Sequence, residues 1–206
     1  MGAVQIGAVI LAGGKSTRFG APKVLQNFGG TPFLLCITRP LLQAGVENIA
    51  LVLGHQAKQL IPAVPGAEKL QIIINRNYEA GQFSSIQAGV RGMPDSLTGV
   101  LLCLIDQPHI HSTTYRTILD KARRMVKKIW IPTYRSKQGH PVFLPGWLLA
   151  EIKRQPTGIS LRDLLLCFSN EIEKVEVDDP GILEDLDTPE DLRRLEKEID
   201  RSGRKE

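Results

Sequence analysis

The sequence predicts one α/β domain built on a mainly parallel, mixed sheet, and three observations carry that prediction. Short β-branched apolar runs alternate with helical stretches along the 206 residues. The first four runs are nearly unbroken by polar residues, as in strands covered on both faces. Neither an internal repeat nor a low-complexity linker interrupts the alternation.

Taken in order, the first strand is 7–11 (GAVIL), which passes at once into a loop rich in glycine and cations. A helix over 33–44, a strand over 48–53 (NIALVL), a short helix over 56–61 and a strand over 70–75 (LQIIIN) follow. A helix over 84–91 leads to strand 100–105 (VLLCLI). Helix 113–127, strands 128–132 and 142–144, helix 160–168, strand 172–177 and helix 189–199 complete the pattern. Parallel strands joined by helices imply right-handed crossovers and ligands at the carboxyl ends of the strands. A chain of this length, 42% hydrophobic, buries the core of one domain, read as residues 1–199. Residues 200–206 are charged and read as a tail without function.

The formal charge of +4, from 26 basic and 22 acidic residues, is too mild and scattered for a nucleic-acid binder and suits a small anionic substrate. Cys36, Cys103 and Cys167 lie far apart in apolar segments without CxxC spacing, so buried free thiols in a reducing compartment are expected. No signal-peptide pattern or membrane-length apolar window occurs, and a cytoplasmic protein without a membrane partner is expected.

The loop LAGGKSTRFGAPK, residues 11–23, offers glycines, two hydroxyls and three cations in thirteen residues, the equipment of an anion-binding loop. It is not a Walker loop, because the required first glycine falls on Val9. It is not a dinucleotide fingerprint, which would need glycine at Lys15. What remains is Leu11, Ala12, Gly13, Gly14, Ser16, Arg18, Gly20 and Lys23 in the spacing L-A-G-G-x-S-x-R-x-G-x-x-K.

That signature resembles the nucleotidyltransferases of the molybdenum cofactor guanylyl- and cytidylyltransferase type, within the GT-A-like pyrophosphorylase group. Four further segments resemble the family in its own order: NRNYEAGQFSSIQAGV (75–90), LIDQPHI (104–110), GHPVFL (139–144) and EDLDTPEDL (184–192). The resemblance implies a three-layer, Rossmann-like fold and a nucleoside monophosphate moved from a triphosphate to a phosphate-bearing acceptor such as molybdopterin. Mg2+ is the implied cofactor, and a molybdoenzyme or chaperone is an implied partner.

Residue chemistry agrees with those implications. Gly13 and Gly14 let a nucleotide approach backbone amides, Arg18 can clamp phosphate, and Lys23 can supply a point charge near the α-phosphate. Lys15 is less constrained and reads as peripheral. Asp106 ends an apolar strand before Pro108 and points a carboxylate into the crevice, where Mg2+ with its triphosphate would sit. Thr188 or Asp187 can cap the helix opening at Pro189, and capping alone does not explain the second acid, Asp185. By resemblance Asp187 is the second metal ligand, with Asp185 in reserve. Gly81, Ser84 and Ser85 by resemblance contact base and ribose, while Gln107 and His140 are expected on the acceptor side. His55, His109 and His111 lack metal-ligand spacing.

A phosphate nucleophile is already ionised, so no strong general base is needed, and alignment with charge neutralisation suffices. Two rivals stand beside this chemistry: transfer to a sugar or alcohol phosphate, and a non-catalytic molybdenum cofactor-binding chaperone. By resemblance the base choice is divided, since GQFSSIQAG, DQP and GHPV resemble the cytidylyl (CTP) side whereas Gly13 within L-A-G-G resembles the guanylyl (GTP) side.

Overall fold

In the computed structural model, which describes residues 4–156 and 158–202, each predicted apolar run becomes a strand. The strands are β1 (Ile6–Ala12), β2 (Asn27–Phe28), β3 (Thr31–Pro32), β4 (Ile49–Leu53), β5 (Gln71–Ile74), β6 (Gly99–Leu104), β7 (Ile129–Tyr134), β8 (Lys137–Gln138), β9 (Val142–Pro145) and β10 (Ile172–Glu176). The helices are α1 (Phe33–Gln43), α2 (Ala57–Leu60), α3 (Gln82–Gly92), α4 (Ser112–Arg124), α5 (Gly146–Arg154), α6 (Leu161–Leu166) and α7 (Pro189–Ser202).

The main sheet runs β10-β7-β9-β6-β1-β4-β5, with β8 paired to β7, while β2 and β3 form a separate hairpin. Pairs β1–β4, β1–β6, β4–β5 and β7–β10 are parallel. Only β9 is reversed within that path, antiparallel to both β6 and β7. The expected mainly parallel mixed sheet is therefore present, with helices on both faces.

Strand alternation sorts the core into two layers. Ala8 and Ile10 of β1 face one cluster, with Phe33, Ile37 and Leu41 of α1 and Tyr115 and Ile118 of α4. Val9 and Leu11 face the other, with Phe83 and Ile86 of α3, Leu148 and Ile152 of α5 and Leu164 of α6. Because side chains alternate along a strand, a central strand covered on both faces must be apolar at every position, and β1, β4 and β6 are.

Four points differ from the sequence expectation. β5 is not covered on both faces: it lies at the sheet edge, with Gln71 and Ile74 exposed. The stretch 146–154 is a helix that periodicity had left unassigned, burying Leu148, Leu149 and Ile152. Of the cysteines only Cys103 is buried, Cys36 is half-buried, and Cys167 is exposed just past the short α6. The last helix runs on to Ser202, past the expected boundary at 199, and residues 203–206 of the expected tail lie outside the described residues. No helix among the described residues is long and apolar enough to cross a membrane.

Candidate active site

The carboxyl ends of β1, β4, β5 and β6 gather at one edge of the sheet. From β1 the chain adds β4 and β5 on one side and β6 on the other, so the edge between β1 and β6 is a topological switch point. A cleft of about 800 Å³ opens there, with Gly13 and Gly14 on one wall and Asp106 on the other.

The loop after β1 is held by its own atoms. Ser16 adopts a left-handed conformation (φ 49°), and its carbonyl accepts the N–H groups of Phe19 and Gly20. Its Oγ accepts the backbone N–H of Lys23 at 3.4 Å. A side chain at Gly13 would put Cβ 2.9 Å from Ser85 Oγ, so the close approach of this loop to α3 requires glycine. Gly14 borders open space on the cleft side. Lys15 pairs with Glu79 at 2.8 Å across the cleft mouth, both side chains exposed.

At the floor, charge converges from three distant segments. Lys23 Nζ lies 3.1 Å from Asp106 Oδ2 and 2.7 Å from Asp187 Oδ1, and its side chain is only 10% exposed. Arg18 approaches Asp187 from solvent, at 2.8 Å. Asp187 reaches this place because Leu186, fully buried, donates its N–H to the Asp106 carbonyl at 2.8 Å. That bond docks the 185–187 segment beside the end of β6, with an acid on each side of the buried leucine.

Capping does not consume Asp187. Thr188 caps α7 instead: its Oγ1 accepts the N–H of Asp191 at 3.1 Å, and Asp191 Oδ2 accepts from Thr188 N and Oγ1 at 2.9 and 2.7 Å. The Thr188 hydroxyl accordingly holds the Asp191 carboxyl below its usual range. Desolvation, then the nearby Asp106 charge, raises the Asp185 carboxyl above that range. Gln107 Nε2 donates to Asp185 Oδ1 at 2.9 Å.

Of the residues singled out from sequence, Leu11, Ala12, Gly13, Gly14, Ser16 and Arg18 line the cleft. So do Lys23, Gly81, Ser85, Asp106 and Asp187. Gly81 opens α3 with φ 95° and ψ 177°, a conformation left almost entirely to glycine. Ser84, Gln107, His140 and Asp185 do not line it. Ser84 is turned inward, its hydroxyl donating to the carbonyls of Asn77 and Gly81 at 2.8 and 2.7 Å. Gln107 is buried as a strut, its amide nitrogen spanning Asp185 and the Ile182 carbonyl.

His140 is brought near Asp106 by the reversed strand. Leu102 pairs with Val142, so residues preceding β9 lie beside residues following β6. Burial pushes its imidazole down to about 4, partly offset by the Asp106 charge, so the ring is neutral at neutral pH.

Three contributors were not singled out from sequence. Asn75, buried just past β5, donates through Nδ2 to Ser84 Oγ at 2.9 Å and Ser85 Oγ at 3.0 Å, and accepts the N–H of Asn77 at 2.9 Å. His55 and Tyr78 line the cleft opposite Asp106 and pair through Nδ1 and the phenol at 3.3 Å. Asn75 opened one of the family-like segments, whereas nothing in the spacing marks His55 or Tyr78.

The donor set suits a hard cation. No group of three or more His, Cys, Asp or Glu among the described residues is placed to hold a metal ion alone. Two partly exposed carboxylates beside an open anion-binding loop match the habit of Mg2+, which takes one or two carboxylates and completes its shell with phosphate and water.

Comparison with known proteins decides what this arrangement belongs to: the MobA-like NTP transferase domain matches residues 8–172. The chain belongs to that family. The matched stretch carries the glycine loop, Arg18, Lys23, Asn75, Ser85 and Asp106, whereas Asp187 lies beyond it. Within this transferase family's fold, Rv0371c of Mycobacterium tuberculosis H37Rv superposes with a TM-score of 0.81 and 29% identity, covering 96% of this chain and all of that one. The same protein in complex with manganese gives 0.76 at 27% identity, over 94% of this chain and 99% of that one. The molybdenum cofactor cytidylyltransferase of Escherichia coli is 25% identical over 91% of this chain and 93% of its own. The bifunctional protein GlmU of Syntrophomonas wolfei is 26% identical over 59% of this chain, and the chain matches only 27% of that protein's length.

Proposed function

We propose that this transferase moves a nucleoside monophosphate, with CTP favoured over GTP, onto a molybdopterin-type phosphate acceptor and releases pyrophosphate, with Mg2+ as cofactor. The observation that carries the proposal is the meeting of Asp106 and Asp187 on the Lys23 ammonium. Two acids and a lysine from three distant segments converge beside a loop built to receive phosphate.

Mg2+ bound by Asp106 and Asp187 would neutralise charge on the phosphoryl oxygens and on the departing pyrophosphate. The chain's own groups do the rest. The Gly13–Gly14 backbone lets phosphate oxygens reach amides, and Arg18, on its exposed stem, closes over them from solvent. Ser85, fixed by Asn75, and the Gly81 turn hold the base and ribose end. Gln107 acts at one remove by orienting Asp185. His140, neutral and near Asp106 but not lining the cleft, backs the acceptor side at one remove without adding charge.

The match along nine-tenths of the cytidylyltransferase, against a quarter of GlmU, supports the pterin acceptor over a sugar phosphate. The manganese complex of Rv0371c supports a divalent cation. A cytoplasmic setting goes with three free thiols, and residues 1–199 act as one nucleotidyltransferase domain. The test is pyrophosphate release with each of the four nucleoside triphosphates, with and without molybdopterin. Release with CTP that depends on the acceptor supports the assignment. Turnover only with sugar phosphates moves it to the sugar-nucleotide branch, and binding without release under any condition makes the protein a chaperone.

A further inference from the structure

Lys23 stands in an unusual place for a group that is to meet a nucleotide. Lys23 belongs to the cleft lining, yet its ammonium is nearly buried there, bridging Asp106 and Asp187. Its backbone is fixed by the Ser16 hydroxyl and by the short 3-10 turn Lys23–Leu25. The four-carbon stem, by contrast, is flexible, and the cleft beside it is open. An ammonium and a divalent cation cannot share the space between the same two carboxylate oxygens, because both charge and volume forbid it.

We propose that Lys23 is a displaceable internal counter-ion: it suppresses metal binding to the free protein, and nucleotide phosphate draws it off the carboxylates so that metal binds with the nucleotide. The proposal rests on Asp106 and Asp187 being the metal ligands. Phosphate gives the ammonium an alternative partner, and a bare cation gives it none. By linkage, each ligand then raises affinity for the other. In the free protein the lysine also spares the paired carboxylates their mutual repulsion.

The test is Mn2+ binding followed by electron paramagnetic resonance, for the free protein and for the protein saturated with α,β-methylene CTP, which binds without turnover. Lys23→Met is expected to bind Mn2+ alone at least tenfold more tightly than the unsubstituted protein, and nucleotide should enhance its affinity by a correspondingly smaller factor. Lys23→Gln should behave alike and serves if the methionine variant does not fold. Lys15→Met removes one positive charge from the same cleft without touching either carboxylate, and its Mn2+ affinity should change less than twofold. Unchanged or weaker Mn2+ binding in both Lys23 variants overturns the counter-ion role, as does an equal gain in Lys15→Met. Asp106→Asn separates the two levels: if nucleotide-supported Mn2+ binding survives it undiminished, the metal-site assignment fails first and the proposal with it.

Discussion

Replacing Asn75 by alanine removes three hydrogen bonds from one buried point. The Ser84 and Ser85 hydroxyls each lose the amide that reaches them, and the N–H of Asn77 loses its acceptor. Ser84 keeps its own bonds to the Asn77 and Gly81 carbonyls, so its loss is small. Leaving a buried polar group unpaired costs about 1–3 kcal/mol, and here that group is the Ser85 hydroxyl, since Asn77 is exposed and its N–H can turn to water, which gives about 1–3 kcal/mol. For a chain of this size each kcal/mol moves the melting temperature by about 2–4 °C, so Asn75→Ala should melt roughly 2–12 °C lower. Because Ser85 lines the cleft, KM for the nucleotide should rise more than kcat falls. Calorimetry and initial-rate kinetics on the same preparation check both. An unchanged melting temperature would refute the strut role, since Asn75 Nδ2 is the group that ties the end of β5 to both serines.

The capping and metal roles at the start of α7 should separate by mutation. Thr188→Ala loses the cap and should cost about 0.5–2 kcal/mol in urea denaturation with metal dependence of activity unchanged, whereas Asp187→Asn should weaken metal dependence with little change in stability; a large stability loss in Asp187→Asn alone would reverse the assignment. His140 supplies a pH signature. Its folded value of about 4 lies below the free 6.5, so protons favour the unfolded chain, and the stability it supports is complete above pH 6.5 and lost as pH falls toward 4. That amounts to about 3 kcal/mol at most. Urea midpoints from pH 8 to 4 should fall more steeply in the unsubstituted protein than in His140→Gln, and equal slopes would show that the ring is not buried as a neutral group.

How far the sequence exposes this site depends on whether a feature is local. The strand-end position of Asp106 was legible because a strand covered on both faces must be apolar throughout and then stop. That α7 is capped just before Pro189 was legible because capping is local, with Thr188 and Asp187 both candidates, and the structure gives the cap to Thr188 paired with Asp191. The partner of Lys23 was not, since the carboxylates it bridges lie 83 and 164 residues away. Three isoleucines at 72–74 looked like a covered strand, yet β5 is an edge, and residue type does not record what lies on a strand's other side. The β2–β3 hairpin was missed although Gly29 and Gly30, both at positive φ, supply its turn. Cys167 belongs to an apolar run, but α6 is short and turns Leu166 and Cys167 outward.

The single reversed strand has an engineering consequence. The glycine loop, Asn75 and Asp106 all follow parallel strands, whereas His140 precedes β9 and hangs on the 135–141 turn. Much of that stretch is pinned: β8 pairs with β7, the Gly139 N–H donates to the Pro132 carbonyl at 3.0 Å, and the His140 N–H donates to the Ile182 carbonyl at 3.2 Å, so the exposed tip at Arg135 and Ser136 is where length can change. Changes confined to that tip would leave the pairing of β1, β4 and β6 and the Lys23–Asp106–Asp187 cluster in place, so the turn and the charged cluster can be varied independently.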